Sequence, residues 1–172
     1  MKLPLFLEVG DRPCLVVGGG AVATRKVRML EGFGARVVQV SPETCGRLFE
    51  DSDVDGKALV VSATDDPFVN RRVAELCRAK GIPVNVVDDP GNCTVVFPAV
   101  CRKGPMTVAV SSGGACPVAA KLVRDKAARL MPDDFIAVVE RLGRDRERMK
   151  AECPDPDARR KVYEEELARW SD

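Results

Sequence analysis

The sequence contains no histidine. That absence removes Ser-His-Asp and Cys-His nucleophile systems, imidazole-ligated zinc and the usual general base near neutral pH. Any catalysis falls to carboxylate, lysine, tyrosine, cysteine, backbone groups or a cofactor. Aromatic residues are scarce, with one Trp and one Tyr, which argues against base-stacking platforms for single-stranded nucleic acid. Neither sign of charge dominates. The 27 Lys and Arg against 26 Asp and Glu leave a formal net charge of +1, so no global field draws nucleic acid or an anionic membrane. An anionic ligand has to be held by a local cluster. No apolar run approaches the roughly 20 residues needed to cross a bilayer, and the opening MKLPLFLEVGDR turns acidic too early for a secretory signal. The seven cysteines, at positions 14, 45, 77, 93, 101, 116 and 153, include no C-x-x-C pair. Odd in number and unclustered, they read as reduced thiols of a soluble cytoplasmic protein, not as a disulfide framework or a metal site.

What is present is an alternation. A chain of 172 residues that is 45% apolar has room for one ordinary domain, or a compact domain with an appendage. Fully apolar or β-branched runs at 14–17 (CLVV), 36–40 (RVVQV), 59–63 (LVVSA) and 84–87 (VNVV) are separated by amphipathic helical stretches at 21–32 and 67–80. Thr64-Asp65-Asp66-Pro67 starts the second of these with an acidic cap and a first-turn proline. Strands apolar on both faces, divided by helices, imply a parallel sheet covered on both sides. The 42–57 connection is too short for the further strand and helix of a full doubly wound domain, so the sheet is expected to be abbreviated. Runs at 94–101 and 106–111, joined by Arg102-Lys103-Gly104-Pro105, read as an antiparallel hairpin. A helix at 117–130 and a charged helical region from 132 onward, broken at Pro154-Asp155-Pro156, complete the chain.

Chemistry gathers at the carboxyl ends of the runs. Gly18-Gly19-Gly20-Ala21-Val22-Ala23 fits G-x-G-x-x-A between a strand and a helix, the context in which that motif holds a dinucleotide pyrophosphate; the alternative is a glycine-rich turn that binds nothing. The acid that would hold the ribose 2′-hydroxyl is out of its usual place, and only Glu43, just past Ser41-Pro42, is available. With no Arg at that point to welcome a 2′-phosphate, NAD is favoured over NADP. Asp88 and Asp89 end the fourth run, either as turn caps in Asp-Pro-Gly-Asn or as reacting groups facing the nicotinamide. Ser111-Ser112-Gly113-Gly114 opens the helix at 117 either as a flexible connector or as a second anion-holding loop. Lys121, Arg124 and Lys126 lie just beyond, on a solvated face or on a ligand.

The segments GGGAVATRKVRML, VVSATDDPFVNRRV, VNVVDDPGNC, FPAVCRKGPMTVAVSSGG and PVAAKLVRDK, in this order and spacing, resemble the precorrin-2 dehydrogenase family, which includes the N-terminal module of siroheme synthases. The similarity runs through about residues 1–130. It implies a Rossmann domain at 1–92, a hairpin used for dimerisation at 93–116 and a helical tetrapyrrole-site region at 117–172. It also implies NAD-dependent oxidation of precorrin-2 to sirohydrochlorin by a homodimer. Some members insert the metal as well, so a dehydrogenase that is also a chelatase is the nearest alternative. A non-catalytic nucleotide-sensing Rossmann module is the alternative from another class.

Residue by residue, the resemblance puts the key active-site acid on Asp88 and leaves Asp89 to turn chemistry. Proton acceptor is one role for Asp88; orienting the macrocycle or binding metal are others. Cofactor contacts fall on Gly18, Gly20, Ala21, Val22, Pro42, Glu43 and Thr64. Ser112 matches a serine associated with the active site and, in some members, with phosphorylation. Ser111, Gly113, Gly114, Lys121 and Arg124 join it as candidate contacts for the substrate's carboxylates. No resident metal is expected.

Overall fold

The β-branched runs pair as a four-stranded parallel sheet of β1 (Pro13–Val17), β2 (Arg36–Val40), β3 (Leu59–Ser62) and β4 (Val84–Val86), in the order β2-β1-β3-β4. The computed structural model describes residues 2–170 and divides into two compact units, Leu3–Phe97 and the chain from Pro98 onward. The two central strands are apolar but for Ser62 at the end of β3 because both their faces are covered. On one face Leu15, Val17 and Val60 pack with Val73, Ala74 and Cys77 of α3 (Pro67–Ala79). On the other, Cys14, Val16 and Val61 pack with Ala23 and Leu30 of α1 (Ala21–Gly32). Each fully buried aliphatic side chain contributes on the order of 1.5–3 kcal/mol.

Local chemistry sets the helix limits. Asp66 caps α3, accepting from the N–H groups of Phe68 (2.8 Å) and Val69 (3.3 Å), and Pro67 occupies the first helical position. The chain leaves α1 and α3 through Gly34 and Gly81, both at positive φ, where a side chain would add left-handed strain. Between β2 and β3 there is only α2 (Pro42–Cys45), capped by Ser41, and a 3-10 turn at Asp51–Val54. The sheet is therefore abbreviated on that side, as the short connection implies. The chain goes from β1 outward to β2, then crosses back to β3. The reversal lies between β1 and β3, which is where open α/β sheets form a ligand crevice at their carboxyl edge.

One expected strand begins late. The 94–98 stretch does not pair as a strand: it covers the outer edge of β4. The N–H groups of Thr94 and Val95 both reach the Val84 carbonyl (2.9 and 3.1 Å), Thr94 Oγ1 accepts from Val84 N–H (2.8 Å), and Asn85 Nδ2 donates to the Val95 carbonyl (3.0 Å). Pro98 has no N–H to continue any ladder, and β5 (Ala99–Lys103) starts immediately after it.

In the second unit β5 pairs antiparallel with β6 (Met106–Val110) through a tight turn at Gly104. Helix α4 (Pro117–Arg129) packs on this hairpin. Beyond it run α5 (Asp133–Arg144), α6 (Arg146–Glu152) and α7 (Pro156–Leu167). Lys103 Nζ donates to the Met131 carbonyl at 2.9 Å, and Phe135 meets Trp170 edge-on at 5.4 Å between ring centres. Arg141–Glu166 and Arg169–Asp134 ion pairs add surface ties of the kind that contribute about 0–1 kcal/mol each.

Candidate functional site

The loop between β1 and α1 is shaped by what its glycines permit. Gly18 has φ +127°, and a Cβ there would collide with the Ala63 carbonyl at the end of β3. Its N–H donates to the Val40 carbonyl at 2.9 Å and its own carbonyl accepts from Gln39 Nε2 at 2.8 Å, so the turn is pinned to the end of β2. A Cβ on Gly19 would meet the Glu43 carboxylate and lie 2.7 Å from Ser41 Oγ. Gly20 differs: a Cβ there would meet nothing within 4 Å.

That open space lies at the N-terminus of α1, where no side chain caps the helix. The first main-chain bond is Thr24 N–H to the Gly20 carbonyl, which leaves the N–H groups of Ala21, Val22 and Ala23 without a partner among the described residues. In the same unit α2 and α3 are capped by Ser41 and Asp66. Three free donors and the positive end of the helix dipole facing open space suit an anion. Ala23 is fully buried, so its small side chain lets α1 approach the sheet.

Glu43 is in the first turn of α2, after Pro42, which is exposed at the first helical position. Its carboxylate comes against Gly19. Hydrogen bonds from its own backbone N–H and from the Ser41 hydroxyl hold its carboxyl below the ordinary value, so it is a fixed anion at neutral pH.

At the end of β3, Thr64 belongs to a network the sequence did not reveal. Ser62 Oγ, fully buried, donates to Asn70 Oδ1 (2.6 Å), Thr64 Oγ1 donates to the same oxygen (2.9 Å), and Asn70 Nδ2 donates back to the Thr64 carbonyl (2.9 Å). Asn70 thus fixes the loop that backs Gly18. Its only sequence signal is a polar residue on the inward face of an amphipathic helix. Lys26 of α1 was likewise missed. Its ammonium lies 3.9 Å from the centre of the Phe97 ring, and burial pulls its pKa down.

The two adjacent acids past β4 differ. Asp89 accepts from Asn92 N–H (3.2 Å) and Asn92 Nδ2 (2.7 Å), and the Asn92 side chain is the main reason its carboxyl sits below the ordinary value. Asp88 is exposed at φ +59°, and among the described residues no donor or cation engages its carboxylate. Cys93 secures the turn, its Sγ donating to the carbonyls of Val86 (3.1 Å) and Asp89 (3.2 Å). Gly18, Gly20, Ala21, Val22, Pro42, Glu43, Thr64 and Asp88 thus all lie along the carboxyl edge of one sheet.

The remaining candidates belong to the second unit. Ser111 Oγ accepts from Gly113 N–H (3.1 Å) and Ser112 Oγ from Cys116 N–H (3.0 Å). Gly113 and Gly114 take positive φ. Lys121 is exposed, while Arg124 forks onto its neighbour Asp125 at 2.9 and 2.6 Å. Among the described residues no three His, Cys, Asp or Glu side chains cluster as metal ligands.

Residues 5–99 match a family model described as "Putative NAD(P)-binding". The chain belongs to this NAD(P)-binding family. The matched stretch holds every sheet-edge residue described above. Siroheme synthases from Thioalkalivibrio sulfidiphilus and Ectopseudomonas mendocina are 42% and 43% identical to the chain over 94% and 95% of its length. It spans only 36% and 38% of those proteins. A solved structure, SirC, precorrin-2 dehydrogenase, shares the family fold with a TM-score of 0.64 at 23% identity, over 83% of this chain and 78% of that one. No helix among the described residues is long and apolar enough to cross a membrane.

Proposed function

We propose that this chain is an NAD-dependent dehydrogenase that oxidises precorrin-2, a carboxylate-rich, partly reduced tetrapyrrole, to sirohydrochlorin. The observation that carries the reading is Asp88: an exposed, unengaged carboxylate held in the left-handed region, on the same sheet edge as an uncapped helix N-terminus. The similarity to siroheme synthases over almost the whole chain supports the choice of substrate.

The N–H groups of Ala21, Val22 and Ala23 would hold the pyrophosphate of a dinucleotide, and the Glu43 carboxylate would accept from its ribose hydroxyls. The residues present therefore fit a dinucleotide, which, when bound, supplies the acceptor for a hydride. Dehydrogenation also releases a proton, and Asp88 is positioned to take it, so the absence of histidine is no obstacle. Asp89, engaged by Asn92, keeps the turn in place. Pro42 and Thr64 frame the cofactor as parts of the loops that carry Glu43 and back Gly18. Ser111, Ser112, Gly113, Gly114, Lys121 and Arg124 are assigned to the substrate's carboxylates. In α4, Val118 and Leu122, one turn apart and 75% and 56% exposed, support assembly as a homodimer through the second unit. Seven free thiols fit a reducing compartment, the cytoplasm.

The test is anaerobic incubation of precorrin-2 with NAD, with and without the protein, following tetrapyrrole and NADH absorbance together. A protein-dependent, stoichiometric rise of both products is expected. NAD binding without turnover would favour a nucleotide-sensing module.

A further inference from the structure

The connection after β2 decides between the two dinucleotides in folds of this kind. An acid there binds the ribose 2′-hydroxyl of NAD, and an arginine accommodates the 2′-phosphate of NADP. This chain has the acid, Glu43, at that point, and an arginine only four residues further on: Arg47, the only cation between Ser41 and Glu50. Arg47 follows Gly46, whose positive φ ends α2. Its side chain is 42% exposed, so solvent reaches it.

The two-pronged end of its guanidinium is nevertheless occupied by a carboxylate. Nη1 donates to Asp53 Oδ2 at 2.8 Å and to the Leu48 carbonyl at 3.0 Å, and Nη2 donates to Asp53 Oδ1 at 2.5 Å. Asp53 is itself fixed, with a side chain only 11% exposed. Its Oδ2 also accepts from Glu50 N–H at 2.9 Å, closing a reciprocal cap on the Asp51–Val54 turn. The same acidic turn holds Arg72 through Asp51, and Asp55 just past it holds Lys80.

We infer that Asp53 is a specificity-determining residue that withholds Arg47 from the 2′-phosphate of NADP. The inference rests on the dinucleotide reading of the glycine loop and deepens it. Glu43 disfavours the phosphate by charge, and Asp53 removes the cation that would compensate. A planar guanidinium matches phosphate as well as carboxylate, in the same two-pronged geometry, so the choice of partner decides the cofactor.

Binding, not turnover, tests it. NAD and NADP are titrated calorimetrically into the full chain and its variants. In Asp53→Asn, which keeps the side-chain volume and an oxygen for Glu50 N–H, NADP is expected to bind about tenfold more tightly, with NAD affinity within about twofold of the unsubstituted chain. Adding Arg47→Ala to that variant should abolish the gain. Arg47→Ala alone should leave NADP affinity unchanged, a result that does not depend on Asp53→Asn folding. Unchanged NADP affinity in Asp53→Asn, an equal gain for both nucleotides, or weaker NADP binding in Arg47→Ala alone would each overturn the inference. Failure of the unsubstituted chain to bind NAD would instead remove the dinucleotide reading on which it stands.

Discussion

Asp88 and Asp89 are adjacent in the chain and opposite in circumstance: Asn92 engages Asp89 from both its backbone and its side chain, while Asp88 presents a free carboxylate from a left-handed backbone. Asp and Asn tolerate that conformation better than other side-chain-bearing residues, so Asp88→Asn should fold normally. If Asp88 takes the proton, turnover in that variant should fall by about 10²- to 10⁴-fold, with NAD affinity unchanged. Asp88→Gly should lose turnover as well, while thermal melting shows equal or higher stability.

Gly18 and Gly20 should respond in opposite ways to the same methyl group. At Gly18 the Cβ meets backbone at a φ of +127°, so Gly18→Ala should destabilise the fold by about 2 kcal/mol or more, as overpacked and strained positions do. At Gly20 there is space and an ordinary φ, so Gly20→Ala should melt like the unsubstituted chain. Its methyl group projects into the anion space instead, and NAD binding should weaken by about tenfold or more. Denaturant melts and calorimetric titrations of the two variants separate these effects.

Asn70→Leu should leave the buried Ser62 hydroxyl without its acceptor, at a cost of about 1–3 kcal/mol. Chemical denaturation measures it directly. Ser62→Ala combined with Asn70→Leu should recover part of the loss, because both ends of the hydrogen bond are then apolar.

The Arg47–Asp53 pair also predicts a pH dependence. Arg47 holds the Asp53 carboxyl below its ordinary value, so the folded state binds this proton less readily than the unfolded chain. The pair's contribution is fully present above the unfolded value of about 3.9, and it is lost as pH falls through the lower folded value. Melting temperatures measured from about pH 5 down to about pH 2 should therefore fall less steeply in Asp53→Asn than in the unsubstituted chain.

The parallel sheet was legible because strands buried on both faces, such as 59–62, admit almost only aliphatic residues, and because Asp66-Pro67, Gly34 and Gly81 mark helix limits with steric and capping chemistry. Asp89 as a turn acid was legible for the same reason, since Asp-Pro-Gly-Asn specifies a local hydrogen bond to Asn92. The covering of β4 by Thr94 and Val95 was not. A β-branched run reads the same whether it pairs in a ladder or seals an edge through Thr94 Oγ1 and Asn85 Nδ2. Asn70 and Arg47 were also hidden, because their partners Ser62 and Asp53 come close only once a strand end or a 3-10 turn has formed. The left-handed backbone at Asp88 has no local signature, since aspartate permits that conformation without requiring it.

The most direct measurement places the unsubstituted chain and Asp88→Asn side by side in anaerobic precorrin-2 and NAD, with NAD affinity determined on the same preparations. Coupled formation of sirohydrochlorin and NADH by the unsubstituted chain is expected, with loss of that turnover and intact NAD binding in the variant. Equal turnover by both proteins, or none by the unsubstituted chain despite NAD binding, would contradict it.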